Sequence, residues 1–206
     1  MGNGVKVTRC SLEAEFGVRI PVPQPKMDKT YCIFGDSVAQ AAYVKAGWVI
    51  LFRHYLEEKY RQDFVNVFNL GIGGNTSNDI LKRFEPESSA RNPTNIIFAV
   101  GINDTKTVAP EEFKSNLEKL ARLAKEITKE VSFVGLVLGD YSSNKPFSRK
   151  KTTAFNQIIK KVAELNDCKY IPLQEQLKPE DFMDGLHPNE QGHKKIFEAI
   201  KIVFNF

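Results

Sequence analysis

Near the end of this chain an acid and an imidazole stand three positions apart. They are Asp184 and His187, in Phe182-Met183-Asp184-Gly185-Leu186-His187-Pro188. With Gly185 between them the backbone can turn so that the carboxylate bonds one ring nitrogen. That fixes the tautomer and leaves the other nitrogen to accept a proton. An ordinary surface turn is the plain alternative; half of a hydrolytic triad, still lacking its hydroxyl, is the other. Ser37, in Gly35-Asp36-Ser37, offers a hydroxyl at a strand-to-helix turn, where a helix N-terminus can hold a developing oxyanion. Taken alone, Gly-Asp-Ser reads first as a helix cap, with Asp36 as good a cap as Ser37.

Two further stretches bear on the same chemistry. Gly71-Ile72-Gly73-Gly74-Asn75-Thr76 is glycine-rich but fits neither GxGxxG nor GxxxxGK[ST], so a glycine N–H aimed into a cleft suits it at least as well as a phosphate loop. A tight loop is the bland reading. In Gly101-Ile102-Asn103-Asp104, Asn103 is a turn residue or a carboxamide donor to an oxyanion, and Asp104 reads as a cap. No GxSxG is present, which sets the chain apart from the nucleophile elbow of the α/β-hydrolases. His54 and His193 fall inside helical patterns and read as structural. No His/Cys/Asp cluster has zinc spacing, and neither a metal nor a cofactor is expected.

The elements that must position these residues are legible as periodicity. Five short apolar runs, Tyr31–Phe34, Phe64–Leu70, Asn95–Val100, Ser132–Leu138 and Lys169–Leu173, read as strands covered on both faces. Helical patterns separate or follow them: Val38–Tyr60, Asn78–Phe84, Glu111–Lys129, Thr152–Leu165 and Asn189–Phe204, the last capped by Asn189. The inward faces include Ile127 and Leu165. Strand alternating with helix predicts an α/β domain with a parallel sheet. The polar residues above follow strand ends, so they gather at the carboxyl edge, where open α/β sheets bind ligands. The loop Leu138–Lys151 shares that edge and offers Tyr141, Lys145 and Arg149, but no long apolar groove.

Composition narrows the classes. The 206 residues, 42% hydrophobic and 26% charged, suit a globular chain that can build its own core. A net charge of +4 without a basic stripe argues against nucleic acid. Cys10, Cys32 and Cys168 form neither a disulfide framework nor a zinc motif, and Cys32 reads as a buried hydrophobe. No signal-peptide pattern or membrane-span-length run is seen, and a cytoplasmic location is expected. Residues 1–28 stand apart as an edge strand or arm, through which an oligomer could form, ahead of a domain spanning 29–206.

Together, "FGDSVAQ", "NLGIGGNTS", "VGINDT" and "DGLHPNEQGH" resemble, in order, the four blocks of the SGNH hydrolases, also called GDSL esterases and lipases. GDSV in place of GDSL is a conservative departure. The resemblance runs from about Tyr31 to Phe204. It implies a flavodoxin-like three-layer α/β/α sandwich with a five-stranded parallel sheet. It also implies Ser37 as nucleophile, His187 as base and Asp184 as its acid, with an oxyanion hole from the N–H groups of Ser37 and Gly74 and the Asn103 amide. Gly73 is the fallback if the register is off by one. The expected activity is hydrolysis of carboxylic esters through an acyl-enzyme, with short acyl groups such as acetyl on a sugar favoured. Lysophospholipase, thioesterase and acyltransferase activities use the same residues. A non-catalytic binding module on the same fold is the rival from another class, and it predicts a missing triad member.

Overall fold

The computed structural model describes residues 29–61, 64–143 and 146–204. The arm at residues 1–28, and Lys145, lie outside the described residues. Five strands, β1 (Lys29–Gly35), β2 (Val65–Gly71), β3 (Asn95–Ala99), β4 (Val131–Val134) and β5 (Lys169–Ile171), form one sheet in the order β2-β1-β3-β4-β5. Every pairing is parallel. β1 therefore lies between β2 and β3, and the chain changes direction across the sheet at the β1/β3 crevice, the place where this topology leaves room for a ligand.

Alternation along the strands builds a core on each face. Cys32, Phe34, Ile96, Phe98 and Phe133 meet α3 (Ser77–Ser89), α5 (Pro110–Ile127) and α6 (Arg149–Leu165) through Ile80, Phe84, Phe113, Leu117, Phe155 and Ile159. Tyr31, Ile33, Ile97, Val134 and Ile171 meet α2 (Trp48–Lys59) and α7 (Glu190–Val203) through Trp48, Phe52, Leu56, Ile196 and Ile200. This is the flavodoxin-like three-layer α/β/α sandwich that the resemblance implied.

The differences from expectation have local causes. The pattern Val38–Tyr60 is two helices, α1 (Ser37–Gln40) and α2, because the chain turns left-handed at Ala41 (φ 66°) and Tyr43 (φ 71°). Apolar spacing continues across that break, so periodicity alone does not show it. α2 then starts with its Trp48 N–H donating 3.3 Å to Nδ1 of the buried His193 on α7, while His54 is exposed. β4 stops at Val134 although Leu136–Leu138 stay buried. The Asn156 side chain there takes over the ladder's role, accepting from the Leu136 N–H at 2.6 Å and donating to its carbonyl at 2.9 Å. β5 ends at Ile171 because Pro172 has no N–H to offer. α3 continues through Pro86 to Ser89, and a short α4 (Asp104–Thr107) follows β3. Ile127 and Leu165, expected inside, sit at helix ends and are exposed.

Candidate active site

Ser37 is the first residue of α1, directly after β1. Asp36 is the N-cap, its Oδ1 accepting from the Val38 N–H at 2.9 Å, so the capping function and the free hydroxyl fall to different residues. The turn is tight. A Cβ on Gly35 would press into Ala39 and stand 2.8 Å from the Ala99 carbonyl oxygen. Asp36 is buried, and burial pushes its carboxyl up to about 7. The N–H groups of Val38 and Gly101 act against that rise, and the nearby Asp104 carboxyl adds to it.

His187 arrives from the other end of the chain on a closed loop. Phe182 bridges Pro188, the Met183 N–H donates 2.9 Å to the His187 carbonyl, and Gly185 takes φ 78° with its backbone against Asp140. Asp184 Oδ1 accepts from the N–H groups of Leu186 (3.0 Å) and His187 (2.7 Å), and Oδ2 faces the imidazole Nδ1 at 2.7 Å. Burial lifts the Asp184 carboxyl, but these bonds and the imidazole outweigh it and hold the group below its ordinary value. A carboxylate at Nδ1 keeps the ring proton there, which leaves Nε2 as an acceptor. Nε2 stands 3.1 Å from Ser37 Oγ, across 150 positions of sequence.

The remaining predicted residues lie around the same hydroxyl. Ser37, Gly73, Gly74, Asn103 and His187 line one open cleft of about 630 Å³, with Tyr43, Lys106, Phe147 and Leu186 among its other walls. Gly74 has φ 83°, a conformation open to glycine, and empty space where a side chain would project. Neither Gly73 nor Gly74 donates its N–H to a backbone carbonyl among the described residues. A Cβ on Gly73 would stand 2.9 Å from Gln40 Oε1. Asn103 spends one amide hydrogen on the Asn75 carbonyl (3.1 Å), which orients the carboxamide and leaves its second N–H. The Ser37 N–H is one of the orphan donors of a helix start. A hydroxyl with an oriented base and several N–H groups beside it can attack a carbonyl and hold the resulting oxyanion.

Two expectations about the cleft wall change. Tyr141 is buried, its hydroxyl donating 3.1 Å to the Val137 carbonyl, and Arg149 is engaged with the Leu138 and Gly139 carbonyls, so these side chains shape the loop rather than the cleft. Lys106 and Phe147 occupy the wall instead, the Lys106 ammonium 4.7 Å from the Phe147 ring centre. Sequence reasoning also passed over Tyr43, whose ring lies edge-on 5.1 Å from His187. It passed over Arg83 as well, which ties the carboxyl ends of β1 and β2 to the loop after β2. Arg83 donates to the Leu70 carbonyl at 2.7 Å and to Asn75 Oδ1 at 3.0 Å, and it reaches the Gly35 carbonyl at 3.4 Å. An arginine in mid-helix carries no motif that would mark it.

Comparison with known proteins places the chain in a family. Residues 33–195 match the model of the GDSL-like Lipase/Acylhydrolase family. An acetylxylan esterase of Geobacillus stearothermophilus is 24% identical over 172 residues, covering 74% of this chain and 78% of that one. An arylesterase of Vibrio mimicus is 28% identical over 176 residues, covering 82% and 84%. Among solved structures, LAE5, an α/β hydrolase enzyme from the Lake Arreo metagenome, superposes with a TM-score of 0.75 at 22% identity, covering 86% of this chain and 95% of its own. The acetylxylan esterase Axe2 of Geobacillus stearothermophilus gives 0.74 at 21% identity, covering 86% and 94%. With the family model spanning most of its length, the chain belongs to the GDSL-like lipase/acylhydrolase family.

Proposed function

We propose that this protein is a serine esterase that cleaves short-chain carboxylic esters, acetyl groups on carbohydrate hydroxyls foremost, through an acyl-enzyme on Ser37. Ser37 Oγ attacks the ester carbonyl as His187 Nε2 takes the hydroxyl proton, and Asp184 steadies the imidazolium. The N–H groups of Ser37 and Gly74 and the Asn103 amide hold the oxyanion. When the tetrahedral intermediate collapses, the C–O bond to the alcohol breaks and His187 returns the proton to the departing oxygen. Water, deprotonated by the same imidazole, then releases the acid and regenerates Ser37.

The observation that carries this reading is the 3.1 Å approach of Ser37 Oγ to His187 Nε2, with Asp184 on the opposite ring nitrogen at 2.7 Å. The preference for short acyl groups is supported by the small residues beside the hydroxyl, Ala41, Ala42, Gly73 and Gly74, among the walls of the cleft. The name of the acetylxylan esterase relative points the same way, and that of the arylesterase supports ester hydrolysis. Ser37→Ala and His187→Ala should each lower turnover of p-nitrophenyl acetate by at least about 10³-fold, and a fluorophosphonate should label Ser37. Variants as fast as wild type, or labelling at another residue, refute the assignment. An acyl-length profile that peaks at long chains refutes the substrate class alone.

A further inference from the structure

The oxyanion donors of this reading come from separate loops. Gly74 belongs to the β2–α3 loop, and Asn103 stands between β3 and α4. Their spacing must be held to a fraction of an ångström for both to meet one oxygen, yet no sheet pairing joins the two loops. Two polar links do. One is the Asn103 amide on the Asn75 carbonyl. The other is the residue beside it: the Asp104 carboxylate accepts the Ser77 N–H on Oδ1 at 2.9 Å and on Oδ2 at 3.1 Å, and the Ser77 hydroxyl also donates to Oδ1. Asp104 and Ser77 are both 0% exposed, so these bonds form where solvent does not screen them. The Asn116 amide, from α5, holds the Ser77 hydroxyl at 2.9 Å and Asn78 Oδ1 at 3.0 Å.

Capping α3 does not by itself account for this arrangement. α3 already has a capping box, in which Asp79 Oδ2 takes the Thr76 N–H at 3.0 Å and its hydroxyl at 2.7 Å. Asp104, from another element, adds to it by taking the first helical N–H, that of Ser77, and the Ser77 hydroxyl. Burying a second carboxylate there is costly, and its bonds run between the starts of α3 and α4, the helices that follow the two donor loops. Nor does Asp104 line the cleft, so it does not meet the substrate. We propose that Asp104 is a positioning residue of the oxyanion hole: through Ser77 it clasps the Gly74 loop to the Asn103 loop and so sets the distance between the two donors. The proposal rests on the esterase reading above.

A double-mutant cycle on p-nitrophenyl acetate tests it. Asn103→Ala should lower kcat by about 10²–10³-fold. Asp104→Ala should lower kcat by about 10-fold or more and change KM by less than about threefold, because the geometry it sets matters in the transition state. If Asp104 acts through the hole, the double variant will lose at least about fivefold less than the product of the two single losses. A smaller shortfall, a single-variant kcat within about threefold of wild type, or a loss carried by KM overturns the proposal. If Asp104→Ala does not fold, Ser77→Ala, which removes only the hydroxyl arm of the clasp, replaces it in the same cycle under the shortfall and KM criteria. A wild-type protein inactive on this ester takes down the esterase reading and the clasp with it. An active wild type whose losses simply multiply takes down the clasp alone.

Discussion

Asp36 places a titratable carboxyl in the interior, one residue before the proposed nucleophile, and its cost can be worked through. Its pKa rises from an ordinary 3.8 to about 7, chiefly because burial penalises the charged form. Below 3.8 the folded and unfolded chains are both protonated there, and the group contributes nothing. Between 3.8 and about 7 the folded protein keeps a proton that the unfolded chain has lost, so stability falls as pH rises through that window. Above about 7 the loss is complete. At about 1.36 kcal/mol per pKa unit it amounts to about 4 kcal/mol, a large share of the 5–15 kcal/mol typical of a domain.

Asp36→Asn isolates this effect. The asparagine carbonyl can still accept the Val38 N–H that Asp36 Oδ1 takes at 2.9 Å, so the cap is retained while the titration disappears. Urea unfolding of both proteins, followed by circular dichroism from pH 4 to pH 8, should give curves that converge at the acid end. They should separate by about 4 kcal/mol at the alkaline end, with the variant more stable. Subtracting one curve from the other removes every other titrating group. Parallel curves across the range would refute the claim that Asp36 is held protonated by the fold.

Three other perturbations follow from the same structure. Asn103→Ala should cost about 10²–10³-fold in kcat, read on p-nitrophenyl acetate, because it deletes one of the proposed oxyanion donors; an unchanged kcat would remove Asn103 from the hole. Burial, helped by the nearby His187, pulls His193 down from 6.5 to about 4, so its neutral form contributes stability that is whole above 6.5 and lost as pH falls toward 4. His193→Asn should therefore lose less stability than wild type between pH 7 and pH 4, by up to about 3 kcal/mol in urea titrations. Gly35→Ala should lower stability by about 1–3 kcal/mol, seen as a lower thermal midpoint, since the added methyl meets Ala39 and the Ala99 carbonyl. A neutral result would mean that β1 and β3 can part at their carboxyl ends more easily than the packing indicates.

How much of this could be read from the chain depends on where the information is stored. β1, β3 and β4 were visible because strands buried on both faces are short apolar runs; the edge strands β2 and β5 carry similar runs though they are only partly covered, and the flavodoxin-like arrangement came from the family resemblance rather than from periodicity. Ser37, Asn103, Asp184 and His187 were visible because each sits in a short contiguous stretch at a strand end or ahead of α7, and strand ends share an edge whatever their separation in sequence. The break after Gln40 was not visible, because what stops α1 is a left-handed turn at alanine and tyrosine rather than at glycine or proline. The end of β4 was hidden for a related reason: Asn156, twenty positions on, takes the bonds of Leu136, and no local pattern in either segment announces the other.

Arg83, Asn116 and the Asp104–Ser77 clasp belong to that second kind, and the division has a physical sense. Proton transfer and oxyanion binding act over one hydrogen bond and demand particular residue types at the strand ends, so the groups suited to them form compact motifs. Holding those groups still demands only that some donor and acceptor meet, and pairs 13 to 48 positions apart serve, as Arg83 does with Leu70 and Gly35 and Asp104 with Ser77. Such pairs are specified by the packing of α3 and α5 against the sheet, not by local spacing. A site can therefore be found from sequence while its rigidity cannot. Variants of these supporting residues should leave the proposed triad intact and act on turnover, which is the outcome the Asp104 cycle measures.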